Sequence, residues 1–135
     1  MLLQTNSYLV PEAKRAEHER LMRRFRACFE RLGSEFDVFE QTDDSFAPAA
    51  RGVPAARFVQ MMRFRDLEHQ RAVQQAEQHD DVAKRLIADF MRLVDLPRQQ
   101  QQGLYAAGHY RGLANDATVD HPPPEVEPEA ASDDV

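Results

Sequence analysis

The segment RFVQMMRF (57–64) runs without a break into RDLEHQRAVQQAEQHDDVAKRLIADFMRLV (65–94), a strand pattern followed by a helix pattern. The first part alternates. Phe58, Gln60, Met62 and Phe64 point to one side of a strand, and Val59, Met61 and Arg63 to the other. Neither side is purely polar, so both faces of the strand are expected to be at least partly covered. Asp66 then stands at the hinge as an N-cap, its carboxylate facing the free N–H groups of a first helical turn. Leu67, Val73 and Ala76 recur at helical spacing, and after His79-Asp80-Asp81 the pattern resumes with Val82, Leu86, Ile87, Phe90, Met91 and Val94. Asp80 or Asp81 is placed to cap a second segment. The expectation is one bent helix or two helices meeting near residue 80.

Working outward, LLQTNSYLV (2–10) reads as a strand with Leu3, Thr5, Ser7 and Leu9 on one face and Gln4, Asn6 and Tyr8 on the other. Pro11 stops it and suits the start of a helix. Over 12–32, His18, Leu21, Met22, Phe25, Phe29 and Leu32 form one apolar stripe, and Gly33 ends that helix. EFDVFEQT (35–42) reads as a further strand. Residues 43–56, with two prolines and a glycine, read as a long loop. Pro97 is expected to end the second helical region, and the four glutamines 99–102 read as a polar connection. GLYAAGHYRGL (103–113) makes a last strand, in which Gly108 marks a bulge or a close approach.

The chain of 135 residues is read as one domain over 1–114 with a disordered acidic, proline-rich tail over 115–135. The formal net charge of −6 conceals this division. The tail holds seven acidic side chains and no Lys or Arg, so removing its −7 leaves +1 for residues 1–114. Cys28 is the single cysteine; it fits a reducing compartment and a buried structural thiol. No apolar run approaches the roughly 20 residues that span a membrane, and the N-terminus lacks the pattern of a signal peptide. These features point to a cytoplasmic chain with no membrane partner.

The element order is β-α-β-β-α-β. It predicts an α+β fold of the ferredoxin-like kind: a four-stranded antiparallel sheet with both helices on one face. Whichever strand face the helices cover, apolar side chains such as Phe39, Phe58, Met61, Met62 or Tyr105 are expected to stay uncovered in a monomer. Such a patch marks an interface or a ligand groove.

Over residues 1–113 the chain resembles the dimeric α+β-barrel superfamily, which includes the NIPSNAP family and the antibiotic-biosynthesis monooxygenases. The resemblance is carried by FVQMMRFRDLEHQR (58–71), where a strand ends in the aromatic Phe64 and enters a helix through Asp66-Leu67 with Arg71 nearby. Met62 stands where an aromatic often precedes this motif. The resemblance implies a homodimer whose two sheets face each other and enclose a cavity, and the two-sided apolar strands make a small organic molecule the expected occupant. It implies no single reaction. The alternatives are a cofactor-independent monooxygenase or cyclase and a structural or interaction protein.

Candidate site residues follow. In the enzyme reading His109 serves as a general base, and Tyr105, which shares its strand face, Asn6 or Arg63 orients the substrate. The plain alternative is a hydrogen-bonded sheet histidine. Asn6, Tyr8, Met61, Arg63 and His69 are candidates for ligand contact, with the cavity-lining face left open and His69 placed at the mouth. His18 and His69 approach each other if the helices pack side by side. No metal or other cofactor is expected. Glu17-His18-Glu19 and Glu77-Gln78-His79-Asp80-Asp81 hold ligand-type residues without the spacing that brings two imidazoles to one helix face. Residues 57–64 lack the glycines of an RNA-recognition strand, and the acidic tail repels a phosphate backbone, so no nucleic-acid partner is expected. The arginines at 20, 23, 24 and 26 read as a solvated helix face.

Overall fold

The computed structural model of the protein describes residues 1–42 and 54–114. The tail expected over 115–135, and the loop over 43–53, lie outside the described residues. The elements run β1 (Leu2–Pro11), a 3₁₀ turn (Glu12–Lys14), α1 (Arg15–Arg31), β2 (Glu35–Glu40), β3 (Ala55–Phe64), α2 (Leu67–Gln78), α3 (Asp81–Leu93), α4 (Leu96–Gln101) and β4 (Ala106–Arg111). The architecture is α+β, with four strands in the order β2-β3-β1-β4. Every neighbouring pair is antiparallel. Thr5 lies opposite Met61 on one side and Gly108 on the other, which fixes the register of β3, β1 and β4.

The hinge forms as its residues dictate. The Asp66 carboxylate accepts from the His69 amide at 2.8 Å, and the Asp80 carboxylate from the Ala83 amide at 2.9 Å. The second helical region is therefore two helices broken at His79-Asp80. Arg31 reaches the same Asp80 at 2.9 Å and fastens the end of α1 to the start of α3. Gly33 follows α1 at φ 103°, a left-handed conformation that closes the helix at little cost for glycine.

The core lies between the helices and one face of the sheet. Tyr8, Val10, Phe36, Met62 and Phe64 come from the strands, Leu21, Met22, Phe25 and Phe29 from α1, Val73 from α2, and Leu86 and Phe90 from α3. Burial of each large side chain contributes about 2 kcal/mol. The rings of Phe25, Phe29 and Phe36 stack at 5.8–5.9 Å. Cys28 is buried beside them, and burial pushes its thiol up, away from reactivity.

Four expectations change. Pro97 does not end the helical region: it sits in the first turn of α4, where its missing N–H costs nothing. The glutamine run is not a mere connection, because Gln99 is buried. Its amide donates to the carbonyls of Leu9 (2.8 Å) and Val94 (2.7 Å), and its oxygen accepts from the Leu9 amide (2.9 Å). Met62 is in the core rather than on an uncovered face. The last strand is shorter than 103–113 and leaves Tyr105 before its start.

Candidate functional site

Two surfaces have the shape and chemistry of a site, one on each side of the sheet. The first begins with polar residues in core positions. Gln60 shares its strand face with Met62 and Phe64, and His18 shares its helix stripe with Leu21 and Met22. Both are buried, at 4% and 2% exposure. Polar groups in such places need partners, and these have each other. The Tyr8 hydroxyl lies 2.7 Å from His18 Nε2, accepts from Gln60 Nε2 at 3.2 Å, and has Met22 Sδ at 3.7 Å. Asn6 Nδ2 donates to Gln60 Oε1 at 3.4 Å, and the Tyr105 hydroxyl donates to Asn6 Oδ1 at 3.0 Å. A hydrogen-bonded chain thus crosses the sheet from Tyr105 through Asn6, Gln60 and Tyr8 to His18.

Electrostatics fix the protonation states along this chain. Burial holds the Tyr8 hydroxyl well above its ordinary range. Burial, aided by the Arg15 charge, depresses His18 to about 4. Tyr8 is therefore a phenol and His18 a neutral imidazole at neutral pH.

The His18 end opens into a groove of about 600 Å³ between α1 and the β2–β3 edge. Phe36, Val38, Phe58 and Met22 form its apolar part, and Glu19, Arg23, Arg26 and Asp37 lie around it. Arg15 pairs with both oxygens of Glu40 at 2.7 and 2.8 Å, with its guanidinium 5.6 Å from the Phe58 ring centre.

The second surface is the opposite sheet face, which no described element covers. A shallow hollow of about 410 Å³ is lined by Leu3, Thr5, Ser7, Val59, Met61, Ala106, Ala107, Gly108 and Tyr110. Tyr110 lies across Gly108, whose added Cβ would meet the ring at 2.7 Å and Thr5 Oγ1 at 2.8 Å. Glycine is thus required for the tyrosine to lie flat on the sheet. Beside the hollow, Arg63 pairs with Asp37 at 3.1 Å and lies 3.6 Å from Glu35.

The residues singled out by the sequence are divided between these surfaces. Asn6, Tyr8 and Tyr105 join the buried chain; Tyr8 has no exposure and acts from beneath the groove. Met61 and Arg63 belong to the open face. His109, on the edge strand opposite Gln4, is exposed, and its ring has no hydrogen-bond partner among the described residues. His69 does not meet His18. Its Nδ1 accepts from the Arg65 amide at 3.0 Å and its Nε2 donates to the Gly33 carbonyl at 2.7 Å, so it ties the β3–α2 hinge to the α1–β2 turn. Sequence reasoning passed over His18 and Gln60 as site residues. The signal was available: each is a polar residue in phase with a buried apolar series.

Among the described residues no group of three His, Cys, Asp or Glu side chains is placed to hold a metal ion. No helix among them is long and apolar enough to cross a membrane. No protein-family model matches the chain, and no curated protein matches it.

Proposed function

We propose that the protein is a ferredoxin-like α+β-barrel homodimer, of the NIPSNAP-like kind, that binds a small organic molecule between its sheet and that of its partner. The observation that carries this reading is the uncovered sheet face. Its centre is apolar, with Leu3, Val59 and Met61 around the hollow, and its edge carries the Arg63–Asp37 pair. Tyr110 is 58% exposed and Phe39 48% exposed on this layer. An apolar centre with a charged rim is the anatomy of a protein interface. Four strands averaging eight residues give a plane of roughly 500 Å². With side-chain relief this approaches the about 800 Å² per partner of a stable complex.

A second copy seated here turns the open hollow into a closed one. Its walls are mostly aliphatic and aromatic, and its polar groups are the hydroxyls of Thr5, Ser7 and Tyr110. That combination suits a compact, mainly apolar molecule with one or two hydrogen-bonding atoms. Sedimentation velocity on the full chain, paired with native mass spectrometry, tests the reading. The expected result is a dimer that Met61→Lys converts to a monomer with unchanged circular dichroism, and a small-molecule mass retained on the dimer alone. A wild-type chain that stays monomeric at high micromolar concentration overturns it.

A further inference from the structure

The groove on the other side of the sheet carries a separate inference. His18 is 2% exposed, yet it lines the groove. Its Nε2 faces the Tyr8 hydroxyl at 2.7 Å, and its other ring nitrogen has no partner among the described residues. That nitrogen keeps a little open surface, and the His18 ring lines the groove, so it is within reach of what enters there.

The hydrogen-bond directions settle what it offers. Gln60 Nε2 can only donate, so Tyr8 Oη accepts from it at 3.2 Å. The Tyr8 proton then has two acceptors in range, an imidazole nitrogen at 2.7 Å and a thioether sulfur at 3.7 Å. The nitrogen is the stronger and closer acceptor. With Nε2 accepting, the proton of the neutral ring sits on Nδ1. The groove is thus presented with a fixed, desolvated N–H donor at the end of a hydrogen-bonded chain. Beside it is the Phe58 ring, whose centre lies 4.5 Å from that of His18.

The charges about the groove balance. Arg15 is held by Glu40, Arg23 by Glu19 and Arg26 by Glu30, so no guanidinium among them is left without a carboxylate. The ligand chemistry that fits is a neutral, flat apolar body, packed beside Phe58 and Val38, bearing one acceptor oxygen. We propose that this groove is a second binding site, for a neutral carbonyl-bearing aromatic or alicyclic molecule whose oxygen accepts from His18 Nδ1–H. The site does not depend on the dimer reading, because it lies on the opposite side of the sheet from the hollow.

The test is NMR on the full chain, uniformly labelled with ¹⁵N and ¹³C. Long-range ¹H–¹⁵N correlation of the His18 ring is expected to show the Nδ1–H tautomer; a proton on Nε2 overturns the proposal. Acetophenone serves as the carbonyl probe and benzylammonium as a probe of similar size with a donor in its place. Acetophenone is expected to shift the resonances of His18, Val38 and Phe58 with a Kd of about 1 mM, the strength usual for so small a molecule. Benzylammonium is expected to leave them in place. Val38→Arg fills the groove without touching the buried chain and is expected to abolish the shifts. His18→Phe keeps a ring and removes the donor, and is expected to weaken binding at least fivefold. Equal response to both probes, or no response at these three residues in the wild-type chain, overturns the proposal whatever the variants do.

Discussion

At the residue scale the molecule turns on His18. A neutral imidazole in the core is stable only while it stays unprotonated. In the unfolded chain it titrates near its ordinary 6.5, and in the folded protein near 4. The unfolded state therefore binds more protons between those values, so stability rises with pH across that window and falls as pH drops through it. Above about 6.5 the full stability is present; below about 4 roughly 3 kcal/mol of it is lost. Urea midpoints between pH 7 and 4 are expected to fall, and His18→Phe is expected to flatten most of that fall. An equally steep fall in the variant places the acid sensitivity elsewhere. The residue was visible in the sequence as part of a helix stripe with Leu21, Met22 and Phe25. Its hydrogen-bond partner was not, because Tyr8 and Gln60 are brought to it by strands paired across 52 residues of chain.

At the element scale, α4 shows what local reading misses. LPRQQQ has a proline near its start and no apolar repeat, so its sequence reads as a connection. Tertiary contact makes it a clamp: Gln99 presents both its amide donor and its oxygen to the main chain of Leu9 in β1. Gln99→Ala leaves a buried N–H and two carbonyls without that partner, at a cost of about 2–3 kcal/mol. Gln101→Ala, at an exposed position of the same run, is expected to change stability by less than about 0.5 kcal/mol. Chemical denaturation of the two variants separates these outcomes, and equal effects refute the clamp. By contrast α1, α2 and α3 were legible, since their stripes and the caps Asp66 and Asp80 are local features.

At the scale of the whole molecule, the proposed dimer ties folding to association. If a second copy covers the open sheet face, the thermal midpoint rises with protein concentration, since binding to the folded state alone stabilises it. Differential scanning over a hundredfold range of concentration is expected to show that rise in the wild type and not in Met61→Lys. A concentration-independent wild type removes the coupling. Local residue patterns were enough for the order of the four strands and the main helical regions, the hinge at Asp66, a bend or break near residue 80 and the two-sided character of β3. Those follow from periodicity, capping and backbone chemistry, which act within a few residues. Only the tertiary structure decided which strand face meets the helices. It alone gathered Tyr105, Asn6, Gln60, Tyr8 and His18 into one chain, set Met61 and Arg63 on the opposite side, and left His109 exposed at an edge. Those outcomes depend on register and packing between segments far apart in the chain, and no local pattern of residues encodes them.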